Sequence, residues 1–167
     1  MRTESLRPTL TRYVHLLAIL ATVLLCGPAL AHLFELPNKM ALDRADYLVV
    51  QQIYAGWSLF GIAVIIAFLA TLALLLLRRR PRLAQVWIWG SLLCQLAAQA
   101  VFWTVTWPAN QATGNWTRLP ETGWEALRQR WEWAHAGGAV LTFGAVTCLV
   151  ISLLVSNAAL ECRPRDA

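Results

Sequence analysis

Charged residues are scarce in this chain of 167 residues. Asp, Glu, Lys and Arg make up 14% of it, against about 25% in a soluble domain. Hydrophobic residues make up 58% and form long uncharged runs, which argues against a soluble domain and indicates an integral membrane protein. The formal net charge is +5, but the basic residues flank apolar runs. We therefore expect the lipid bilayer, and no nucleic acid, as the partner.

Lysine and cysteine are also scarce. Lys39 is the only lysine; beside Glu35 it predicts an ion pair in a loop or, alternatively, a clamp for an acidic substrate. Cys26, Cys94 and Cys148 lie within apolar segments. Such cysteines are typically small packing residues, so no disulfide framework is expected.

Four apolar segments are long enough to cross a bilayer, which takes about 20 residues. Because backbone polar groups in lipid must be satisfied within the protein, each segment is predicted to be a helix. The sequence thus predicts an all-α protein with one integral membrane domain, an antiparallel up-down-up-down four-helix transmembrane bundle over residues 1–167. The predicted spans are 13–36, 47–77, 83–107 and 131–156, with polar outer loops at 37–46 and 108–130.

Proline and capping residues set the predicted helix ends. Pro37 and Pro108 are expected to end the first and third helices, because a residue before proline disfavours the helical conformation. The second helix is expected to be capped by Asp43 or Asp46 and to run unbroken through its span. The fourth helix is expected to begin near Gly123 and to continue without a break.

Basic residues are distributed unevenly between the two sides of the predicted bundle. Nine lie at the N-terminus, in the 78–82 turn and in the C-terminal tail, and five lie in the other two loops. By the positive-inside rule, both termini are cytoplasmic and the polar loops face outward. The protein is then a multi-pass protein of the cell membrane, or of the inner membrane if the source is bacterial.

The first segment also has features of a secretory signal peptide. It has a basic start, an apolar core and, at residues 29–31, an Ala-Leu-Ala sequence that resembles a cleavage site. Cleavage would leave His32 at the N-terminus and remove one helix. The apolar run continues to Leu36, which favours a full span.

Two pairs of His and Glu lie at the predicted outer ends of the first and last helices. His32 precedes Glu35 by three residues, and Glu132 precedes His135 by three, so each pair shares one helix face. Ionisable residues within a membrane are costly and often functional. Further polar residues of the second and third helices are predicted at this depth: Tyr47, Gln51, Tyr54, Ser58, Gln95, Gln99, Trp103 and Thr106.

Three chemistries fit this polar layer. Histidine and carboxylate ligands from facing helices can bind a transition metal, and two histidines can hold haem b. Without a cofactor, the same groups can perform general acid–base catalysis. The candidate metal ligands are His32, Glu35, Glu132 and His135, the candidate cofactor-binding residues are His32 and His135, and the candidate catalytic residues are Glu35, Tyr47, Gln51 and Glu132.

A structural role for the same residues is the alternative. The chain would then be a non-enzymatic membrane protein, such as an assembly factor, a transporter subunit or a scaffold, whose His/Glu pairs fix helix register. Arg128 and Glu132 would form an i,i+4 ion pair on the last helix. His15, near the cytoplasmic end of the first helix, is expected to be an interfacial side chain.

A stripe of small residues lies along the fourth helix. Gly144, Cys148 and Ser152 recur every four residues, and such stripes allow helices to approach closely. The stripe predicts packing inside the bundle or, alternatively, the seam of a homodimer.

Short motifs add a family resemblance. Arg130-Trp131 and His135-Ala136 open the last helix, and Glu35-Leu36-Pro37 ends the first. With its four-span layout, the chain resembles the anthrone oxygenase-like family of small four-helix membrane proteins. The resemblance implies a four-helix fold and an oxidoreductase or oxygenase-like activity on a small hydrophobic or aromatic molecule.

Overall fold

Helices make up nearly all of the protein. The computed structural model describes residues 3–77 and 81–161, and the side chains of 9–77 and 81–159. Six α-helices follow one another: α1 Thr3–Ala41, α2 Arg44–Gln51, α3 Phe60–Leu76, α4 Arg82–Val101, α5 Trp107–Ala112 and α6 Trp124–Glu161. No strand occurs within these two ranges, and the predicted all-α class is confirmed.

Four helical stretches are long and apolar enough to cross a membrane: Thr9–Ala41, Trp57–Leu76, Arg82–Ala112 and Trp124–Ala159. Large apolar side chains, such as Leu20, Ile62, Leu93 and Phe143, are exposed on the outside of the bundle. Exposure of this kind suits a lipid environment. The chain therefore has the helices of a multi-pass membrane protein.

The long helices form a ring in which α1 contacts α6, α6 contacts α4, α4 contacts α3 and α3 contacts α1. Neighbours run antiparallel. A Cβ atom added to Gly90 of α4 would lie 3.2 Å from Cys148 Sγ of α6, and one added to Gly144 would lie 3.5 Å from Cys94 Sγ. Glycine thus makes room for cysteine on both sides of this contact.

The small-residue stripe of α6 packs inside the bundle. Its first two members face α4, as just described, and Ser152 is fully buried against His15 of α1. This face is occupied by α1 and α4, so it is not free to form the homodimer seam. The expectation that His15 is interfacial is wrong as well, because it is 1% exposed and its Nε2 atom lies 3.0 Å from the Leu149 carbonyl oxygen.

The first helix does not end at Leu36. It continues through Pro37 to Ala41, so the predicted boundary and most of the predicted 37–46 loop are wrong. Proline removes one helical hydrogen bond, but the end of α1 is held from outside. Arg128 of α6 donates from Nη1 to the carbonyl oxygen of Leu42 at 2.7 Å, which satisfies a carbonyl group that the ending helix leaves without a partner.

The second predicted helix is broken. Asp43 caps α2 by accepting a hydrogen bond from the Asp46 backbone N–H at 2.9 Å, as predicted. Two 3-10 turns, Gln52–Tyr54 and Trp57–Leu59, then separate α2 from α3. Gly56, with φ of +86°, allows the left-handed bend between them, so the unbroken helix over 47–77 is wrong.

The third predicted helix continues past Pro108. A π-helical turn, Phe102–Thr106, joins α4 to α5, and Pro108 lies in the first turn of α5. In the π turn the backbone N–H of Trp107 bonds the carbonyl oxygen of Phe102. The wider π turn lets the helix pass through Pro108, which has no backbone N–H to donate. The predicted end at Pro108 is therefore wrong.

The last helix begins at Trp124, directly after Gly123, and runs unbroken to Glu161; the prediction for this helix is confirmed. We call the end of the bundle that holds α2, α5 and the start of α6 the polar end. Orientation in the membrane stays a prediction from the distribution of basic residues, of which the arginines at 2, 78–80, 163 and 165 lie outside the described residues.

Candidate functional site

A buried cation, Lys39, lies at the centre of the polar end. Its side chain is 3% exposed, and its Nζ atom lies 2.8 Å from Oε2 of Glu132, which is 0% exposed. The pair joins α1 to α6. Glu35, one turn earlier on α1 and partly exposed, has its Oε2 atom 3.7 Å from the same ammonium group. Two carboxylates therefore face the only lysine of the chain.

Lys39 also contacts two neutral groups. Its Nζ atom lies 3.1 Å from His32 Nδ1 and donates to the Tyr54 hydroxyl at 3.2 Å. An ammonium group can only donate, so His32 Nδ1 accepts, and a neutral His32 carries its proton on Nε2. Tyr54 in turn donates to Glu35 Oε2. Burial and the hydrogen bond to Glu35 raise the pKa of Tyr54 above its ordinary value, which keeps it a neutral donor.

Helix α2 satisfies the other oxygen of Glu132. The Tyr47 hydroxyl donates to Oε1 at 2.9 Å, and Gln51 Nε2 donates to the same atom at 3.4 Å. Burial raises the pKa of Tyr47, and the charge of Glu132 raises it further. Tyr47 therefore stays a phenol and holds the carboxylate without adding a charge.

The two histidines stack on one another. The rings of His32 and His135 lie 4.2 Å apart between centroids, at an angle of 25°. Trp131 covers both, at 4.1 Å from His135 and 5.2 Å from His32. The Nε2 atom of His135 is buried and has no hydrogen-bond partner among the described residues. It is an open hydrogen-bonding position in a site whose other groups are largely paired.

Arg128 closes the site from the surface. Its guanidinium group lies 4.6 Å over the Trp124 ring and 5.4 Å over the Tyr47 ring, besides holding the end of α1. The expected i,i+4 ion pair between Arg128 and Glu132 is wrong, because Glu132 pairs with Lys39. We call the group formed by Lys39, Glu132, Glu35, His32, His135, Tyr47, Gln51 and Tyr54 the polar chamber.

Asn110 of α5 supports the chamber from behind. Its Oδ1 atom accepts from Trp131 Nε1 at 2.7 Å and from Trp116 Nε1 at 3.0 Å. Trp116 has a φ of +62°, which is rare for a bulky residue, and its backbone N–H donates to Thr113 Oγ1 at 3.1 Å. These contacts hold Trp131 against the histidines. The sequence carried no signal for Asn110, since a lone asparagine after a proline resembles an ordinary turn residue.

An apolar groove of about 390 Å³ lies beside the chamber. It opens between α1 and the start of α3 and is lined by Leu24, Gly56, Trp57, Leu59, Phe60, Ile62, Ala63 and Ile66. Trp57 separates the groove from the chamber, because its ring lies 5.5 Å from the His32 ring and 4.8 Å from the Tyr54 ring. The Trp57 indole thus contacts both the lipid-facing groove and the polar groups.

The structure brings together all six candidate site residues: His32, Glu35, Tyr47, Gln51, Glu132 and His135. The third helix does not contribute as expected. Gln95 lies deeper, where its Nε2 atom donates to Thr71 Oγ1 at 2.9 Å, and Trp103 is 58% exposed on the outside. Lys39, predicted as a loop residue, is instead central. The expected helix end at Pro37 concealed that Lys39 continues the face of Glu35.

The arrangement does not fit the predicted metal or haem. Among the residues that the structure describes, no group of three or more His, Cys, Asp or Glu side chains could hold a metal ion. The Lys39 ammonium group contacts the proposed ligands His32, Glu35 and Glu132, and its positive charge would repel a metal cation bound among them. The rings of His32 and His135 stack too closely for a porphyrin to lie between them.

Comparisons with protein-family models, with curated proteins and with solved structures find no match to this chain. The resemblance to the anthrone oxygenase-like family therefore stays a prediction. Function has to be inferred from the contacts of the chamber itself.

Proposed function

We propose that this chain is a membrane-embedded acid–base protein. It binds the polar end of a small apolar molecule in the polar chamber and exchanges a proton with it through His135. The observation that carries the proposal is the Nε2 atom of His135, which is buried without a hydrogen-bond partner among the described residues. An imidazole is the side chain that most often transfers protons in catalysis.

The surroundings of His135 support proton transfer. Glu132 lies one helical turn earlier on the same face of α6, and its carboxylate is paired with Lys39. Lys39 and Glu132 are shielded from water, which strengthens their electrostatic effect on a bound molecule.

Charge balance indicates a neutral ligand. The buried or half-buried charges of the site are Lys39 and Arg128 against Glu35 and Glu132, two of each sign. A charged ligand would leave one charge without a counterion in a dry site, at a high cost in free energy. A neutral carbonyl or hydroxyl group, on an apolar body that enters through the groove, suits this balance.

Hydrogen–deuterium exchange of 2-tetralone tests the proposal. This apolar ketone exchanges the protons next to its carbonyl group when an acid–base catalyst is present, and NMR in D₂O follows the exchange. Wild-type protein in phosphatidylcholine nanodiscs is expected to accelerate it. His135→Gln is expected to lower the rate about 100-fold, within the usual contribution of an acid–base group.

Trp133→Phe is the matched control, because Trp133 lies on the same helix but is 59% exposed on the outside; its rate is expected to stay at the wild-type value. Equal rates in wild type and His135→Gln, or no acceleration over empty nanodiscs, would contradict the proposal. The polar chamber would then be structural, as in an assembly factor, a transporter subunit or a scaffold, a role that the Lys39–Glu132 link between α1 and α6 favours.

We further propose a cell-membrane or bacterial inner-membrane location with both termini in the cytoplasm, on the distribution of basic residues. Oxidation of an aromatic molecule, which the family resemblance implies, stays a prediction. The aromatic walls formed by Trp57, Trp131 and the two histidines suit an aromatic body. The contacts of the chamber add no support for metal-dependent or haem-dependent oxidation.

A further inference from the structure

Lys39 has a primary amine where the proposed acid–base function needs only a counterion. We propose that Lys39 is a covalent binding site whose amine forms an imine with an apolar aldehyde or ketone. This inference rests on the proposed function for the entry and orientation of the molecule. It goes further by naming the class of ligand, an apolar carbonyl compound, and the atom that binds it, Lys39 Nζ.

The position of Nζ suits a nucleophile. It is shielded from solvent in a 3% exposed side chain, on the inner side of the wall whose outer side is the apolar groove. A lysine amine becomes nucleophilic when it gives up its proton to a neighbouring group, and Lys39 Nζ adjoins Glu132 Oε2 at 2.8 Å and His32 Nδ1 at 3.1 Å. A surface lysine lacks this environment, and a purely structural cation needs no amine, because arginine forms buried ion pairs more readily.

Proton acceptors for the reaction are in place. Glu132 Oε2, at 2.8 Å from Nζ, takes one proton from the ammonium group and leaves a neutral amine. The amine lone pair attacks the carbonyl carbon, a C–N bond forms, and the electron pair of the C=O double bond moves to oxygen. His32, whose Nδ1 atom lies 3.1 Å from Nζ, moves the second proton from nitrogen to that oxygen, which gives a carbinolamine.

Loss of water completes the reaction. The proton held by Glu132 returns to the hydroxyl group, the C–O bond breaks, and water leaves while the nitrogen lone pair forms the C=N bond. One amine and one carbonyl group give one imine and one water, and nothing is oxidised or reduced. The product is a protonated imine beside an ionised Glu132, so the charge of the chamber is the same before and after.

Reductive trapping tests this site directly. The native protein in phosphatidylcholine nanodiscs, whose lipids contain no primary amine, is treated with 2-naphthaldehyde and sodium cyanoborohydride. Lys39 and the α-amino group are the only primary amines of the chain, so peptide mapping by mass spectrometry separates the two products. Lys39 is expected to carry roughly tenfold more adduct than the α-amino group.

A charged aldehyde serves as the comparison. With 4-carboxybenzaldehyde the preference is expected to reverse, because a carboxylate cannot cross the groove without losing its hydration. Glu132→Gln is expected to slow labelling of Lys39 roughly tenfold with no change at the α-amino group, and Trp133→Phe is expected to label like the wild type. The ratio of Lys39 adduct to α-amino adduct in the wild-type protein tests the proposed imine even if Glu132→Gln does not fold.

The two proposals fail separately. Exchange of 2-tetralone that depends on His135, without an adduct on Lys39, overturns the imine and leaves the acid–base function. An adduct on Lys39 without exchange supports the imine and overturns proton transfer at carbon. A Lys39 adduct no more abundant than that of the α-amino group overturns the inference.

Discussion

Lys39 and Glu132 are opposite charges buried against each other, and each is costly to bury alone. The attraction within such a pair roughly offsets the loss of hydration, so the pair as a whole adds little stability. Removing one partner is different, because it leaves an uncompensated charge in a dry interior. Tyr47 and Gln51 add hydrogen bonds to the carboxylate, which lowers the cost of keeping it ionised.

Lys39→Met is expected to lower the free energy of unfolding by about 3–5 kcal/mol, because Glu132 loses its cation. The double variant Lys39→Met/Glu132→Leu is expected to lose far less, since both charges are gone. Unfolding by SDS titration in mixed micelles measures both values. Arg130→Met, at an exposed position of α6, should change the value by less than about 0.5 kcal/mol. A double variant that loses as much as Lys39→Met alone, or more, would contradict this account.

The sequence predicted part of this site well. His32, Glu35, Glu132 and His135 could be placed together because i,i+3 spacing on two helices of equal depth leaves little freedom. The ion-pair partner of Glu132, Lys39, could not be predicted, because its position depends on whether α1 continues through Pro37. That depends in turn on Arg128, 91 positions along the chain from Pro37 (128 − 37), and a local pattern carries no information on such a contact.

Among the elements, the break between α2 and α3 has the most direct effect on the chamber. Non-helical backbone at membrane depth is tolerated where protein or a cavity covers it. The two 3-10 turns on either side of Gly56 turn Tyr54 towards Glu35 and Trp57 towards His32.

Gly56→Ala is expected to destabilise the protein by about 1–2 kcal/mol, because a left-handed backbone is unfavourable for alanine. The added Cβ meets nothing within 4 Å, so the effect would come from the backbone alone. Gly61→Ala is the matched control; it lies inside α3, also with nothing within 4 Å, and should be neutral or stabilising by up to about 1 kcal/mol. The same SDS titration compares the two variants. Equal changes in the free energy of unfolding would show that the backbone at Gly56 does not require glycine.

Helix boundaries were harder to predict than helices. Pro37 and Pro108 each resemble a stop signal, yet both helices continue, one held by Arg128 and the other widened into a π turn. Gly56 was overlooked because a glycine within a long apolar run is common in membrane helices. In each case tertiary contacts decided between conformations of similar local energy.

Among the residues that the structure describes, the buried charged side chains Lys39, Arg128 and Glu132 lie at one end of the bundle. The fold class followed from the uncharged runs alone, because lipid permits few backbone structures. The opposite end has an apolar core formed by Ala18, Ala70, Leu74, Ile88 and Leu149. The chamber therefore lies at one end of the bundle, and the orientation of the bundle in the membrane would decide which compartment supplies its ligand.

Cysteine labelling in intact bacterial cells tests the orientation. In a cysteine-free background, Glu121→Cys, exposed at the polar end, is expected to react with a membrane-impermeant maleimide. Thr9→Cys, exposed near the start of α1, is expected to react only after the cells are permeabilised. The basic residues favour this arrangement, and the opposite labelling pattern would place the chamber on the cytoplasmic side.

One oxygen atom, Asn110 Oδ1, anchors two indoles that belong to different parts of the protein. Trp116 belongs to the surface loop, whereas Trp131 covers both histidines. Because they share one acceptor, a shift of the loop that moved Asn110 would change the support of Trp131. Any molecule that binds the loop in one conformation would then change the affinity of the chamber, and a ligand in the chamber would change the loop by the same free energy. The Asn110 side-chain amide would thus couple binding at the surface loop to binding in the buried site.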